Sequence, residues 1–403
     1  MQIESLRVKN FKALQDISLD NLPRFAVFVG RNGSGKSTLF RVFGFLKNCL
    51  KDNVRTALNI EGGLNGFGEV VSRGHEKENI VIEIKFRMPI QQRNRLVTYH
   101  IEIGLSENRP VVRREYLSYK RGAFGSPYHY MDFSDGKGYA VSNEEDFDEQ
   151  EKPLNREDTQ LKSADILAIK GLGQFEKFKA ASAFRQLIEN WHISDFHIND
   201  ARGRKSDQQA EHISETGENL PAVARHLYEN VPDLFKKILG KMRERVPGVA
   251  DIEVKTTEDG YLIIRYKDGA FENPFIDKNV SDGTIKMFAY LMLLEDPKPF
   301  PILCIEEPEN QLYPELMTVL AEEFDAYARR GGQQHGQVFV STHSPEFLNA
   351  VPNISSIYWL EKSDGVSRIY RALDYKQLMK LKQGGDSMGA LWLQGMLNSK
   401  RLK

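Results

Sequence analysis

The chain has 403 residues, 40% hydrophobic and 28% charged, an ordinary composition for a soluble protein with a large core. Its formal net charge of −1 excludes a globally cationic nucleic-acid binder and leaves a local basic face open. The two cysteines are too few for a disulfide framework or a zinc site. An N-terminus without a signal-peptide core and the lack of ~18 consecutive apolar residues predict a cytoplasmic protein with no membrane partner.

The first predicted elements lead directly into a glycine-rich motif. Apolar patterning predicts strands over Ile3–Val8 and Leu14–Leu19, and the unbroken apolar run Phe25–Val29 predicts a strand buried on both faces. Residues Gly30–Thr38 read GRNGSGKST, which matches a phosphate-binding loop. Apolar residues then recur at helical spacing and place the motif between a strand and a helix: Leu39, Val42, Phe43 and Leu46.

This strand–loop–helix context distinguishes a phosphate-binding loop from a chance match. Glycines let backbone N–H groups converge on phosphate oxygens, and the helix N-terminus adds partial positive charge. Lys36 is expected to reach the β- and γ-phosphates, and the Ser37 hydroxyl to bind Mg²⁺. The motif therefore predicts a bound nucleoside triphosphate, held by Asn32, Gly33, Ser34, Gly35, Lys36, Ser37 and Thr38.

The middle of the chain shows several kinds of pattern. The glycine-rich residues 61–68 predict a loop, and the acidic run 143–151 predicts a solvated or disordered connection. Helical periodicity extends over residues 161–245. Period-two alternation predicts an antiparallel meander before that region and further strands after it: Ile80–Phe86, Leu96–Ile103, Val111–Tyr119, Ile252–Val254 and Tyr261–Tyr266.

In the last third of the chain, helical and strand patterns alternate. Such alternation predicts a parallel sheet with helical crossovers. Because the phosphate-binding loop lies near the N-terminus, the core of the fold is split, and the middle of the chain forms an inserted lobe. The predicted elements are Ser281–Leu294, Ile302–Ile305, Pro314–Ala328, Val338–Val340 and Ile357–Leu360.

Two of these strands end in residues with catalytic chemistry. Residues 301–307 form an apolar strand that ends in Glu306 and Glu307. In P-loop ATPases the carboxyl end of such a strand delivers an acid to Mg²⁺, so we assign Glu306 to the metal and Glu307 to the attacking water as general base. His343 follows the next strand, where it can sense a γ-phosphate. Surface glutamates and a structural histidine are the alternative interpretations.

The helix that begins after Ser281 has two interpretations. Ser281 is a good N-cap, and Asp282 suits the first turn of an ordinary helix. Ser281 and Gly283 at a helix N-terminus also make a phosphate site.

The order of these motifs resembles an ABC-type ATPase head of the RecF, SMC and OLD-nuclease group. The resemblance rests on GRNGSGKST at 30–38, SDGT at 281–284, EEPEN at 306–310 and STHSP at 341–345. Within the group, the chain is most similar to the compact AAA-labelled ATPases of bacterial defence and repair loci. The fold class implied is α/β: a P-loop NTPase with a mixed sheet core, an antiparallel β meander and an inserted helical lobe.

The resemblance implies a role for each motif. Gly30–Thr38 corresponds to Walker A, and Ile302–Glu307 to Walker B with Glu307 as base. Val280–Thr284 corresponds to the signature, which contacts the γ-phosphate bound by the partner in a head-to-tail dimer. Asn310–Leu312 resembles the loop that links the two sites, and His343 the switch histidine. ATP and Mg²⁺ are the implied cofactors, bound also by Ser281 and Gly283, with Ser37 and Glu306 as metal ligands.

The chain departs from the family pattern at three places. Glu306 replaces the more usual aspartate, and the signature has SDGT instead of SGGQ. The segment Gly66–Arg73 lies where the Q-loop belongs and contains no glutamine.

The predicted lobes are 1–145 (ATPase lobe, N-terminal part), 146–294 (mostly helical) and 295–403 (ATPase lobe, C-terminal part).

Three functions fit these observations. The first is an ATP hydrolase that closes as a homodimer, or as a higher oligomer, through heads that enclose ATP. It would act as the ATP-driven sensor or scaffold of a nucleic-acid-linked bacterial system, with anti-phage defence as its role and a separately encoded nuclease or toxin as effector. The second is a DNA repair or recombination ATPase of RecF type that acts directly on DNA through basic clusters. The remote third is a transporter's nucleotide-binding subunit. The clusters are Arg113 and Arg114, Arg202 with Arg204 and Lys205, and Lys236, Lys237, Lys241, Arg243 and Arg245.

Overall fold

A computed structural model describes residues 2–90, 93–120, 125–143, 154–203, 205–206, 209–330 and 336–402. The predicted acidic run lies outside the described residues from position 144 onwards. The chain divides into two compact units. Unit 1 comprises Met1–Ala26, Gly30–Trp191 and Tyr358–Arg371, and unit 2 comprises Val27–Val29, His192–Ile357 and Ala372–Lys403.

The strands of the described chain are β1 (Gln2–Phe11), β2 (Leu14–Asp20), β3 (Phe25–Gly30), β4 (Ile80–Ile90), β5 (Arg93–Ser106), β6 (Arg109–Tyr119), β7 (Tyr128–Ser134), β8 (Lys137–Val141), β9 (Arg156–Gln160), β10 (Trp191–Ser194), β11 (Lys205–Ser206), β12 (Val249–Thr256), β13 (Tyr261–Asp268), β14 (Phe275–Ile276), β15 (Ile302–Glu306), β16 (Gln337–Thr342), β17 (Ile357–Ser363) and β18 (Val366–Arg371).

The α-helices of the described chain are α1 (Lys36–Lys51), α2 (Val54–Gly62), α3 (Phe67–Val70), α4 (Ala168–Leu172), α5 (Lys179–Glu189), α6 (Ile198–Ala201), α7 (Leu220–Asn230), α8 (Pro232–Arg245), α9 (Asp282–Leu294), α10 (Pro314–Arg329), α11 (Pro345–Ala350), α12 (Lys376–Gln383) and α13 (Met388–Leu393). None of these helices is long and apolar enough to cross a membrane.

Unit 1 is built on an antiparallel sheet with the order β2-β1-β4-β5-β6-β7-β8-β9. The predicted meander is confirmed in β4, β5 and β6, where alternate residues such as Ile82 and Ile84 are buried opposite Ile101 and Tyr99. The ring of Phe184 from α5 stacks on Phe86 with centroids 4.5 Å apart, so the buried face of the sheet forms the core. The sheet continues through β7, β8 and β9, which the alternation did not predict.

The predicted loop over residues 61–68 is wrong. Helix α2 ends at Gly62, a 3-10 helix covers Gly63–Asn65, and α3 follows. Gly63 and Gly66 have φ of +64° and +35°, so these glycines separate short helical segments. The segment is also fixed to the first hairpin, because the Lys12 N–H donates to the Val70 carbonyl at 2.6 Å.

Unit 2 contains the parallel pairing predicted for the last third of the chain. Strands β15 and β16 run parallel with Glu306 opposite Ser341. Their part of the sheet has the order β10-β15-β16-β3, and the residues of β3 that belong to unit 2 are Val27–Val29. Helix α9 is buried over nearly its whole length, as expected for a helix that is apolar on all sides. A smaller sheet has the order β11-β13-β12, with β14 paired to β13.

The predicted helical region over 161–245 needs one correction. Strands β10 and β11 lie inside it, and they are only four and two residues long. Such short strands carry too few positions for a period-two signal. The lobe boundaries at 145/146 and 294/295 stay a prediction.

Candidate functional site

The predicted phosphate-binding loop follows β3 and leads into α1, and the loop and this helix belong to unit 1. Gly33 and Gly35 have φ of +76° and +104°, and Gly35 is the N-cap of α1 without a side-chain capping bond. The first N–H groups of this 16-residue helix are therefore left for another acceptor. A loop of this kind at a helix N-terminus attracts anions.

Lys36 lies within the loop and does not extend into solvent. It is 5% exposed, and its Nζ atom donates to the Gly30 carbonyl at 2.8 Å. The ammonium group is thereby held across the loop. Ser37 and Asn32 are exposed, and Thr38 is half-buried.

Close packing behind the loop explains two of its glycines. A Cβ atom at Gly30 would clash with the Ser34 hydroxyl, and one at Gly35 would clash with the hydroxyl of Ser367 on β18. Both hydroxyls are buried and have no hydrogen-bond partner within the described residues. The loop is therefore seated on polar side chains that leave no room for a side chain at either glycine.

In unit 2, the acid-bearing strand β15 ends at Glu306, which is half-buried. The N–H of Glu307 donates to the Ser341 carbonyl at 3.0 Å, which ties the end of β15 to β16. Glu307 itself has φ of +40°, a strained conformation for a residue with a side chain. Glu306 thus lies in the strand, and Glu307 lies just beyond its end.

His343 lies between two carboxylates. Its Nδ1 atom is 3.5 Å from Glu307 Oε1 and 3.3 Å from Glu309 Oε1. Glu309 is 5% exposed and accepts bonds from the Thr342 hydroxyl at 2.7 Å and the His343 N–H at 2.8 Å. The structure thus brings the predicted base and switch histidine together. The sequence assigned no role to Glu309, because its position after Pro308 does not reveal its burial.

A cleft of about 400 Å³ adjoins these residues within unit 2. Lys286 of α9 lies in its wall and is 2% exposed. Its Nζ atom donates to the Asn310 carbonyl at 2.8 Å, and burial lowers its pKa to about 8. Lys286 was not predicted from the sequence, because the pattern of α9 indicates only an apolar face. The cleft is lined by Asp195, Phe196, His197, Lys286, Glu306, Glu307, Asn310 and Gln311.

The predicted start of helix α9 at Ser281 is confirmed, whereas its role as the signature stays a prediction. Ser281 is the N-cap of α9, and its hydroxyl accepts a bond from the Thr284 N–H at 3.2 Å. Ser281 is exposed, whereas Gly283 is buried. Arg202 holds the preceding loop: its guanidinium donates to the Val280 carbonyl at 2.8 Å and also to Asp282. Arg202 therefore binds this loop within its own chain.

The other basic clusters also have partners in the described chain, which weakens them as free phosphate contacts. The ion pairs include Arg113 with Asp135 at 2.9 Å, Arg114 with Asp132 at 3.2 Å, Lys237 with Glu295 at 2.6 Å and Arg245 with Glu322 at 3.3 Å. Arg204 lies outside the described residues.

A strand–glycine-loop–helix unit, an acid-ended parallel strand and a histidine after the next strand define a P-loop ATPase of the ABC head type. The chain belongs to the family described as "AAA domain, putative AbiEii toxin, Type IV TA system", whose model matches residues 25–349. The resemblance to an ABC-type head is thereby confirmed.

Curated relatives and solved structures agree with this class. The chain is 22% identical over 153 residues to the DNA replication and repair protein RecF of Lactococcus lactis subsp. cremoris, strains MG1363 and SK11; the match covers 32% of this chain and 41% of each relative. The chain thus spans less than half of those relatives.

Two SMC head structures share the fold. An SMC head bound to the C-winged helix domain of ScpA has a TM-score of 0.51 and 15% identity, over 92% of this chain and 97% of that one. The SMC head with an extended coiled coil, bound to the C-terminal domain of ScpA and derived from Pyrococcus furiosus, has a TM-score of 0.50 and 13% identity, over 96% and 100%.

Proposed function

We propose that this protein hydrolyses ATP to ADP and phosphate in a Mg²⁺-dependent reaction, and that two copies close head-to-tail when ATP binds. The observation that carries the proposal is the arrangement around Glu307. Its carboxylate accepts a bond from the Asn310 amide at 3.2 Å and lies 3.5 Å from His343. A half-buried carboxylate held beside an imidazole suits a group that orients water and accepts its proton.

The binding residues fit the cofactors. The uncapped N–H groups of α1 and the ammonium of Lys36 suit the β- and γ-phosphates. Mg²⁺ binds proteins through one or two oxygen ligands together with phosphates and water. Ser37 and Glu306 offer such oxygens, and a bound ion would neutralise negative charge on the phosphates.

In the proposed reaction, the water oxygen attacks the γ-phosphorus while Glu307 accepts the proton from that water. The bond between the γ-phosphorus and the β,γ-bridging oxygen breaks, and ADP leaves. Lys36 stabilises the charge on the transferred phosphoryl group. His343 senses the γ-phosphate from its position beside Glu307.

The proposed dimer uses the start of α9. Ser281 is exposed at the N-terminus of this 13-residue helix, and Arg202 fixes the loop before it. A helix N-terminus with a serine cap suits a phosphate oxygen. We assign Ser281 and Gly283 to the γ-phosphate that the partner subunit's loop holds.

We further propose that the ATPase is the sensor or scaffold of a bacterial anti-phage system with a separately encoded nuclease or toxin as effector. The family description names a putative toxin and a type IV TA system, which supports a role in a bacterial system of that kind. The alternative is a repair ATPase that acts directly on DNA, which the partial match to RecF supports. Steeply salt-dependent DNA binding would favour the alternative, whereas co-purification with a neighbouring gene product would favour the effector.

Glu307→Gln tests the proposed reaction. Loss of the base should lower ATP turnover by about 10²–10⁴-fold and trap an ATP-bound dimer, measured by phosphate release and by sizing with and without ATP. Glu315→Gln, an exposed position in the first turn of α10, is the matched control and should behave as wild type. Normal turnover in Glu307→Gln would refute the assignment of the base.

A further inference from the structure

Lys286 is an unusual residue for its position. It lies in the second turn of the signature helix α9, whose neighbouring residues are apolar, and it is 2% exposed. Lysine is almost never this buried unless its charged group is paired. Its ammonium group faces a carbonyl oxygen, that of Asn310 at 2.8 Å, and lies 5.9 Å from the centre of the Tyr290 ring.

A short series of hydrogen bonds connects this lysine to the proposed base. Lys286 Nζ donates to the backbone carbonyl of Asn310 at 2.8 Å. The side-chain amide of Asn310 then donates to Glu307 Oε2 at 3.2 Å. Helix α9 is thereby linked to the Glu307 carboxylate through a single intervening residue, inside the cleft that all three residues line.

The turn that carries Asn310 is strained on both sides. Glu307 and Gln311 have φ of +40° and +66°, a region that costs on the order of 1–3 kcal/mol for residues other than glycine. A turn of this kind keeps its conformation only when surrounding contacts hold it. The bond from Lys286 is such a contact, and it originates on the signature helix.

We propose that Lys286 is a positioning residue for Glu307, through which the signature helix controls ATP hydrolysis. The inference rests on the proposed function. Engagement of Ser281 by the partner's γ-phosphate acts on the N-terminus of α9, and Lys286 carries that change to Asn310 and Glu307. Both bonds of this series are already present in the single chain, so the partner's nucleotide adjusts, through Lys286, a base that is aligned in advance.

Lys286→Met and Lys286→Arg test this role. Methionine keeps most of the volume and removes the donor, so turnover (kcat) should fall about 10–100-fold, as for the loss of an interaction that aligns a catalytic group, while KM and ATP affinity change about two-fold or less. Arginine restores a donor and should recover most of the turnover. The control is Lys298→Met, at a lysine whose side chain is 75% exposed, with no expected effect.

A double-mutant cycle separates positioning from stability. Asn310→Ala keeps the carbonyl that accepts the Lys286 bond but removes the amide that holds Glu307. If both residues act in one series, the double variant should be little slower than the slower single variant. Thermal unfolding of each variant shows whether a lower turnover arises only from a loss of folded protein.

The outcomes distinguish this inference from the proposed function. Normal turnover in Glu307→Gln would overturn both. An inactive Glu307→Gln together with wild-type turnover in Lys286→Met would overturn only the role of Lys286. A loss in Lys286→Met that Lys286→Arg does not recover, with KM and melting temperature changed in parallel, would also overturn it, because it indicates a purely structural lysine.

Discussion

The carboxylate of Glu309 binds His343 at two points. Its Oε1 atom accepts the backbone N–H at 2.8 Å and lies 3.3 Å from the ring Nδ1 atom. The backbone and the imidazole of His343 are therefore both positioned by one buried acid. The ring also lies 3.5 Å from Glu307, so Glu309 determines how the histidine meets the proposed base.

Replacement of Glu309 tests this relationship. Glu309→Ala leaves the buried Thr342 hydroxyl and the His343 N–H without their acceptor. We expect a loss of about 1–3 kcal/mol in the free energy of unfolding and a lower turnover with little change in ATP affinity. Urea unfolding and phosphate release measure the two effects. A Glu309→Ala variant that is as stable and as active as wild type would contradict the positioning role.

The two central glycines of the loop should differ in their tolerance of alanine. Both have positive φ, but a Cβ at Gly33 would meet nothing within 4 Å, whereas one at Gly35 would clash with Ser367. Gly33→Ala should therefore cost only backbone strain, about 1–2 kcal/mol, and Gly35→Ala should weaken nucleotide binding much further. Titration with a fluorescent ATP analogue measures both affinities.

The double variant Gly35→Ala with Ser367→Gly serves as the control. It removes the clash but keeps the strained φ, so its affinity should approach that of Gly33→Ala. Equal affinities for the two single variants would show that the packing against Ser367 does not affect nucleotide binding.

Arg202→Met should separate dimerisation from nucleotide binding. The guanidinium holds the loop before α9 through the Val280 carbonyl and Asp282, so its loss should loosen Ser281. We expect unchanged ATP affinity and a weaker ATP-dependent dimer in a Glu307→Gln background, measured by sizing. The control is Arg329→Met, at a position whose side chain is 65% exposed. A dimer of undiminished affinity would contradict the role of Arg202.

The ion cluster at the C-terminal end of α9 predicts a dependence of stability on pH. Burial opposes the charge of Glu295, but bonds from Lys237, Lys241 and Arg330 outweigh it and lower the pKa of Glu295 from 4.5 to about 2. Because the folded-state pKa is lowered, the stabilisation is complete above about pH 4.5 and is lost as the pH falls towards 2.

Glu295→Gln tests this prediction. Glu295 is 3% exposed, and its loss leaves Lys237 and Arg330 without this carboxylate, whereas Lys241 keeps its bond to Glu323. The substitution should cost about 3–5 kcal/mol in the free energy of unfolding at pH 7. Urea unfolding at pH 7 and pH 3 should show that the difference from wild type narrows at the lower pH. A difference that does not change with pH would contradict an ionised Glu295.

Contiguous motifs were predictable from the sequence, because a strand, a glycine turn and a helix are encoded by neighbouring residues. The phosphate-binding loop, the helix capped by Ser281 and the parallel pair β15 and β16 were found in this way. The glycines of residues 61–68 gave the wrong prediction, since glycine permits helix ends as well as loops. Strands β10 and β11 were too short to leave a pattern.

By itself, the sequence determined the class of the protein and the residues proposed to bind and react with the nucleotide. Only the tertiary structure decided what orients them. Lys286, Glu309 and Arg202 act on residues 24, 34 and 80 positions away, and such pairings follow from chain packing and not from local periodicity. A buried lysine and an exposed one are written identically in the sequence, and only the groups that surround each in the fold determine its role.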